Sequence, residues 1–158
     1  MSLDVLFFEL RGRRCAIAVS AIREVVALPA LTPMPLAPAA VRGVAPLHGQ
    51  VLPVLDIGVW LSAAGEARPE TPLYRPGRDR VLVVEASLAG EAAPVRAALA
   101  VDRVTRLGTV DEAHSRPPPA TPAFVSATLL DVEGPALLID AQRLFDQVRK
   151  AVQAAGAS

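Results

Sequence analysis

Lysine is almost missing from this chain: fifteen of its sixteen basic residues are arginine, and Lys150 stands alone near the C-terminus. A phosphate-cradling lysine loop or a Schiff-base lysine would have to use that residue, which has no glycine-rich lead-in, so both chemistries are excluded. A surplus of positive charge is missing too. Sixteen basic residues balance sixteen acidic ones, for a net charge of zero, whereas nucleic-acid binding needs excess cations to displace counterions from phosphates. Cysteine occurs once, at Cys15, so no internal disulfide forms and nothing points to an oxidising compartment. With that thiol and two histidines, His48 and His114, no zinc cluster has a workable spacing. The patterns GxSxG, GxGxxG, HExxH and CxxC are all absent, and no cofactor is expected. No apolar run approaches the ~18 residues of a membrane span. The opening MSLDVLFFELRGRR puts an acid before its apolar stretch and arginines after it, the wrong order for a signal peptide. The chain reads as cytosolic, with no membrane insertion.

What is present fits one domain of 158 residues, 52% apolar and 20% charged, with enough chain to bury a core. Fifteen prolines, against a usual share of roughly 5%, break helix interiors and central strands, which excludes a helical bundle through the middle. The pieces between them are short and β-like. Residues 3–10 are apolar, Arg11-Gly12 supplies a turn, and Cys15, Ile17 and Val19 alternate with their neighbours, giving a hairpin. Ser20 is expected to cap a helical turn over 21–26 that Pro29 ends. Residues 43–47 and 50–55 flank His48-Gly49, a second hairpin signal. Asp56 then caps a brief helix through Trp60 and Leu61, closed by Gly65, and residues 66–80 form a connecting loop. Strands follow at 80–86, 95–101 and 104–110. Residues 111–122, with Pro117-Pro118-Pro119, read as an exposed loop. Residues 124–132 and 136–139 pair around Glu133-Gly134. Asp140 caps the one long helix, 141–155, whose apolar stripe of Leu144, Phe145, Val148 and Val152 packs on the body of the protein.

The halves echo each other. AIAVSAIREV begins at Ala16 and ALAVDRVTRL at Ala98, an offset of 98 − 16 = 82. A strand leads from Gly49 to Asp56 and another from Gly134 to Asp140, an offset of 140 − 56 = 84. Identity alone is weak because 29 residues are alanine, but two different motifs at nearly one offset point to duplication. The expected architecture is mainly β: two interlocked small barrels, approximately 15–80 and 81–140, closed or partly closed so that few sticky edges remain. The terminal segments pack on them.

Candidate chemistry is sparse. A Ser115–His114–acid grouping with Asp111 and Glu112 can be drawn, and a small enzyme built on these loop groups is the alternative class. All its members sit in one polar loop, where rigid positioning fails. Asp56, Asp102 and Asp140 each follow a strand and read as caps of helical turns. Glu24 reads as a solvent-facing charge on the short turn, with Ile22 and Val25 as inward anchors. Cys15 reads as a small buried side chain. Nothing here forms a reactive constellation, so surfaces rather than catalysis carry the function.

Residues 41–57, VRGVAPLHGQVLPVLDI, bring a resemblance. The segment resembles the CheW-like domain, the bacterial chemotaxis coupling module, in which this stretch runs approximately Gly-Val-x-Asn-Leu-Arg-Gly-x-Val-x-Pro-Val-x-Asp-Leu. Gly43, Val44, Leu47, Gly49, Val51, Pro53, Val54 and Asp56 match it. AIAVSAIREVV resembles the family's opening, with Glu24 at its usual acidic position. AVDRV at 100–104 and LLIDAQRLF also resemble family motifs, so the likeness spans nearly the whole chain. It implies two tandem five-stranded, SH3-like β-barrels. It further implies a non-enzymatic adaptor joining chemoreceptor tips to a CheA-type histidine kinase through that kinase's homologous regulatory domain, in receptor arrays at the membrane. The implied partner-binding residues are Glu24, Val41, Gly43, Leu47, His48 and Gly49. Two departures stand out: Pro46-Leu47-His48-Gly49 replaces Asn-Leu-Arg-Gly, exchanging a permanent planar cation for an imidazole, and Val125-Ser126-Ala127 replaces an Ile-x-Gly-Val pattern.

Overall fold

The run Val5-Leu6-Phe7-Phe8 is too apolar for a strand with one wet face, and β1 (Ser2–Leu10) is indeed buried on both. The computed structural model describes residues 2–61, 80–118 and 122–156. After β1 come β2 (Arg13–Ala18), β3 (Ile22–Ala27), β4 (Val41–Leu47) and β5 (Gln50–Leu55), then the short helix α1 (Gly58–Leu61). The second half supplies β6 (Arg80–Ala86), β7 (Val95–Val101), β8 (Arg103–Asp111), the two-residue β9 (Ser115–Arg116), β10 (Val125–Asp131), β11 (Gly134–Ile139) and the long helix α2 (Ala141–Gly156). The expected mainly β class with a C-terminal helix is what the chain adopts.

Two sheets result. One has the order β8-β1-β2-β11-β10-β9 and the other β3-β6-β7-β5-β4. Each takes strands from both halves of the chain, and each contains one parallel pair, β2 with β11 and β5 with β7. Strand pairing leaves both sheets open at their edges, so neither is a hydrogen-bonded closed barrel as expected. Within the sheets an extra residue in β3, β4, β8 and β10 shifts the register, and such bulges bend a strand and increase its twist. Those bulges repeat with the sequence offsets. Arg23 and Thr105 are the unpaired residues 82 apart, and Arg42 and Ser126 the ones 84 apart. The Asp56 N–H donates to the Ala40 carbonyl at 2.7 Å, and 84 residues later Asp140 N–H donates to Phe124 at 2.8 Å.

Among the described residues the alternation within strands divides the core in three. Leu6, Phe8, Cys15 and Ile17 from one sheet meet Leu55, Leu82, Val84 and Leu99 from the other in a shared cluster, which α2 covers with Leu144 and Phe145. The opposite face of β1, Val5 and Phe7, lies in the hollow of its own sheet with Ala16, Leu129 and Ala136. The opposite face of β6 and β7, Val81, Ala98 and Ala100, lies with Leu28, Ala45 and Val54 in the hollow of the second. Small alanines on β7 let that sheet curl tightly over its filling. Cys15 is buried, which pushes its thiol up to about 12 and leaves it inert.

Several local expectations change. Residues 22–27 form a strand rather than a helical turn, because the β-branched Val25 and Val26 pair with Leu82 and Val81 on β6. Only a 3-10 turn, Val19–Ala21, precedes it; Ser20 lies inside that turn and caps nothing. Val25 consequently faces outward, 43% exposed. The region read as an exposed loop at 111–122 contains a 3-10 turn, Glu112–His114, and β9, which pairs with β10. Gly65, the connecting loop over 66–79, and Pro119 lie outside the described residues.

Candidate partner-binding site

The β4–β5 turn is built for exposure. His48 has φ 49° and Gly49 φ 79°, so both central residues are left-handed, as a tight two-residue hairpin loop requires. That conformation lifts the imidazole off the sheet, 73% exposed. The His48 Nε2 lies 3.0 Å from Glu24 Oε1 and 3.1 Å from Oε2. Glu24 belongs to β3, and β3 and β4 are opposite edges of their sheet. A contact of that length between them means that the sheet curls until its edges face each other across a seam. Lower down the seam the backbones touch: Thr32 and Val44 exchange N–H···O bonds of 2.9 Å each.

Gly43 stands where that crossing is tightest. A Cβ there would lie 2.4 Å from the Thr32 carbonyl oxygen, so no side chain fits. Leu47 packs into the sheet's hollow and Val41 against the shared core. The six residues expected to bind a partner therefore divide. Glu24, His48 and Gly49 meet at the exposed tip of the seam, while Val41, Gly43 and Leu47 hold the hairpin in place from beneath.

Beside the tip lies a cleft of about 680 Å³ that sequence reasoning missed, lined by Arg23, Gln50, Val51, Leu52, Glu85 and Arg96 among others. Glu85 accepts from Arg23 Nε at 2.9 Å and Arg96 Nε at 2.7 Å. These hydrogen bonds, Arg23's first and then Arg96's, hold its carboxyl down to about 2. Val51, 69% exposed, borders the same cleft. Nothing local in the sequence pairs Arg23 with Glu85, 62 positions away.

The aspartates do different work. Asp140 accepts the Arg143 N–H at 2.9 Å at the start of α2. Asp102 leads straight into β8 and instead accepts the Arg11 backbone N–H at 2.7 Å. Asp56, only 2% exposed, accepts the Gly58 N–H at 3.0 Å and also takes Arg11 Nη2 at 2.6 Å and Arg42 Nη2 at 2.9 Å. Arg11 crosses directly over Gly58, where a Cβ would sit 2.6 Å from its Cδ. This carboxylate, read only as a cap from the sequence, is a buried charge joining the β1–β2 turn to β4 and α1.

The six-stranded sheet has its own seam. Arg106 on β8 and Arg14 on β2 both reach Asp131 Oδ2, at the end of β10, and both guanidiniums lie over the buried Phe7 ring, 4.5 and 4.4 Å from its centroid. Partial burial would raise the Asp131 carboxyl, but the Arg106 and Arg14 hydrogen bonds outweigh it and hold it down to about 2. Glu133 joins from the turn, 3.0 Å from Arg14 and 3.4 Å from Arg106.

Around His114 the polar groups serve the backbone. Ser115 donates to the Glu112 carbonyl at 2.7 Å and Asp111 accepts the Ala113 N–H at 2.9 Å, which lowers its carboxyl below the usual range. Neither is aimed as a nucleophile–base relay requires. Among the described residues no group of three His, Cys, Asp or Glu could hold a metal, and no helix is long and apolar enough to cross a membrane.

The model of one protein family, the CheW-like domain, matches residues 4–149. No curated protein matches the chain. Among solved structures it is similar to the scaffolding protein TtCheW from Thermoanaerobacter tengcongensis, with a TM-score of 0.71 and 22% identity. The match covers 92% of this chain and 94% of that one. A likeness at that identity is one of fold.

Proposed function

Because this chain belongs to the CheW-like domain family, we propose that it is a non-enzymatic adaptor coupling chemoreceptor cytoplasmic tips to a CheA-type histidine kinase. The observation that carries this reading is the exposed seam tip, where Glu24 and His48 stand together above a sheet that the family motif builds. A rigid hairpin with adjoining apolar Val51 and Val25 is a surface for a folded partner, recognised by shape and a few charges. The kinase's homologous regulatory domain and the receptor tip are the two partners, and through them the adaptor, itself cytoplasmic, joins receptor arrays at the membrane. A pull-down with each purified partner tests this; capture of neither ends the proposal.

The coupler is divergent. At position 48 the family's arginine would offer a planar fork of donors, and His48 offers one short ring. One of the two partner contacts is correspondingly weakened. His48→Arg should strengthen that weaker contact while leaving the other unchanged, read by titration calorimetry against each partner. Equal affinities for wild type and variant on both sides would refute the loss.

A further inference from the structure

We infer that Arg23 and Arg96 form a clamp for an acidic side chain of a folded protein partner, seated in the cleft beside the Glu24–His48 tip. Arg96 stands opposite Glu85 in the β6–β7 register, and Arg23, the unpaired residue of the β3 bulge, turns to the same carboxyl. Arg96 gives Glu85 its Nε alone, and Arg23 gives its Nε and Nη2. Among the described residues the Nη1 of Arg23 and both Nη groups of Arg96 make no further bond. The Glu85 side chain is only 11% exposed, while the arginines are 57% and 42% exposed. Two fixed cations thus share one acid, leaving an excess charge of one and unused N–H donors at a cleft of about 680 Å³.

The other paired arginines differ. Asp56 and its two partners are largely buried, and at Asp131 a second acid, Glu133, balances the charge while the guanidiniums lie on Phe7. Near the clamp, Glu24 faces His48, and Glu91 borders a groove beside α2 and bonds neither arginine. A guanidinium already held by Glu85 loses little freedom on meeting a second carboxylate, and its planar edge matches both oxygens. The single excess charge suits one carboxylate, whereas a phosphate dianion would exceed it and meet the ionised Glu85. Val51, Leu52 and Pro94 give the cleft apolar wall for the stem of an acidic side chain. Arg23 precedes Glu24 on β3, and Gln50 follows Gly49 on β5, so a protein seated on the tip also covers the clamp. The occupant rests on the adaptor reading; the site does not.

Sodium isovalerate, a carboxylate on a short branched chain, probes the site in the isolated protein at constant ionic strength. Arginine Nε–H resonances followed by NMR should shift saturably at Arg23 and Arg96, with a Kd of about 10 mM. Arg96→Gln, followed at Arg23, should weaken that binding about tenfold. Arg103→Gln removes an equal charge from the other sheet and should change it by less than about twofold. Absence of a saturable shift overturns the clamp, as does equal binding of 3-methylbutanol, which lacks the charge; tighter binding of inorganic phosphate overturns its assignment to a carboxylate. Against the kinase's regulatory domain and the receptor tip, Arg96→Gln should then weaken at least one contact about tenfold while Arg103→Gln weakens neither. Unchanged affinity for both overturns the docking role. Circular dichroism confirms that each variant is folded. If wild type captures neither partner, the adaptor reading fails and the isovalerate titration still decides the clamp; if wild type binds and Arg96→Gln binds equally, the clamp fails and the adaptor reading stands.

Discussion

At one seam Glu24 on β3 meets His48 on the β4–β5 turn; at the other, Arg106 on β8 meets Asp131 and Glu133 at the β10–β11 turn. Glu24 and Arg106 are equivalent residues. Each follows the bulge in its strand, and each pairs with the matching strand, Glu24 with Val83 of β6 and Arg106 with Phe7 of β1. The strand plan is thus shared and the charges are exchanged, acid on the strand at one seam and cation on the strand at the other. The second seam adds Arg14 and an aromatic floor, and Gly108 makes room for it, since a Cβ there would lie 2.9 Å from the Phe7 ring. Delocalised guanidiniums over a ring, sharing one carboxylate, form a fixed closure at any neutral pH. At the other seam a single exposed imidazole meets a single glutamate. Duplication preserves the backbone devices, bulges and turns, because the fold requires them. The seam charges differ, and the Glu24–His48 seam is the one proposed above to meet partners.

Equivalent positions allow that contrast to be broken. The largest effect is expected at Asp56 and Asp140. Asp56→Ala would take the shared buried carboxylate away from Arg11 and Arg42 and cost about 3–5 kcal/mol in urea denaturation. Asp140→Ala removes a cap and costs about 1 kcal/mol. Equal losses would mean that the two sites are equivalent in energy as well as place. Next comes the bulge pair Gly43 and Ala127. Gly43→Ala forces a methyl against the Thr32 carbonyl and should cost about 1–3 kcal/mol, whereas Ala127→Gly costs only the backbone freedom of glycine, about 0.5–1 kcal/mol.

Asp131→Asn should remove about 1–2 kcal/mol at pH 7, by weakening two charge-assisted hydrogen bonds. Its pH signature is clearer. The folded-state carboxyl lies at about 2, below the ordinary 3.8, so its contribution is full above about pH 4 and disappears as the pH falls through 2. Wild-type stability should therefore drop more steeply between pH 4 and 2 than that of Asp131→Asn; parallel curves would show that this seam does not tighten the fold. The smallest effect belongs to His48→Arg, within about 0.5 kcal/mol of wild type at pH 7, because an exposed pair contributes little to stability. A larger change would show the histidine seam to be structural rather than a surface device.

Much of this was legible in the residues. Alternation and turn chemistry located the hairpins at Arg11-Gly12 and His48-Gly49 and, one residue late, the one whose loop is Val132-Glu133, and the offsets of 82 and 84 carried the repeat. The helical reading of 21–26 failed because a six-residue apolar pattern fits either period, and pairing with β6 decided it. Asp56 looked like Asp140 because both follow a strand and precede a helix, and capping is the only role that adjacent residues can reveal.

The sequence by itself determined the class, the turns and the duplication, all of which arise from contacts a few residues apart or from repetition along the chain. Tertiary structure alone decided that β2 pairs with β11 and β5 with β7, and that both sheets stop short of closure. It also decided that Glu24 finds His48, Arg23 finds Glu85 and Arg11 finds Asp56. A charged side chain carries no local mark of its distant partner, since any arginine satisfies any carboxylate that the folded backbone brings within reach.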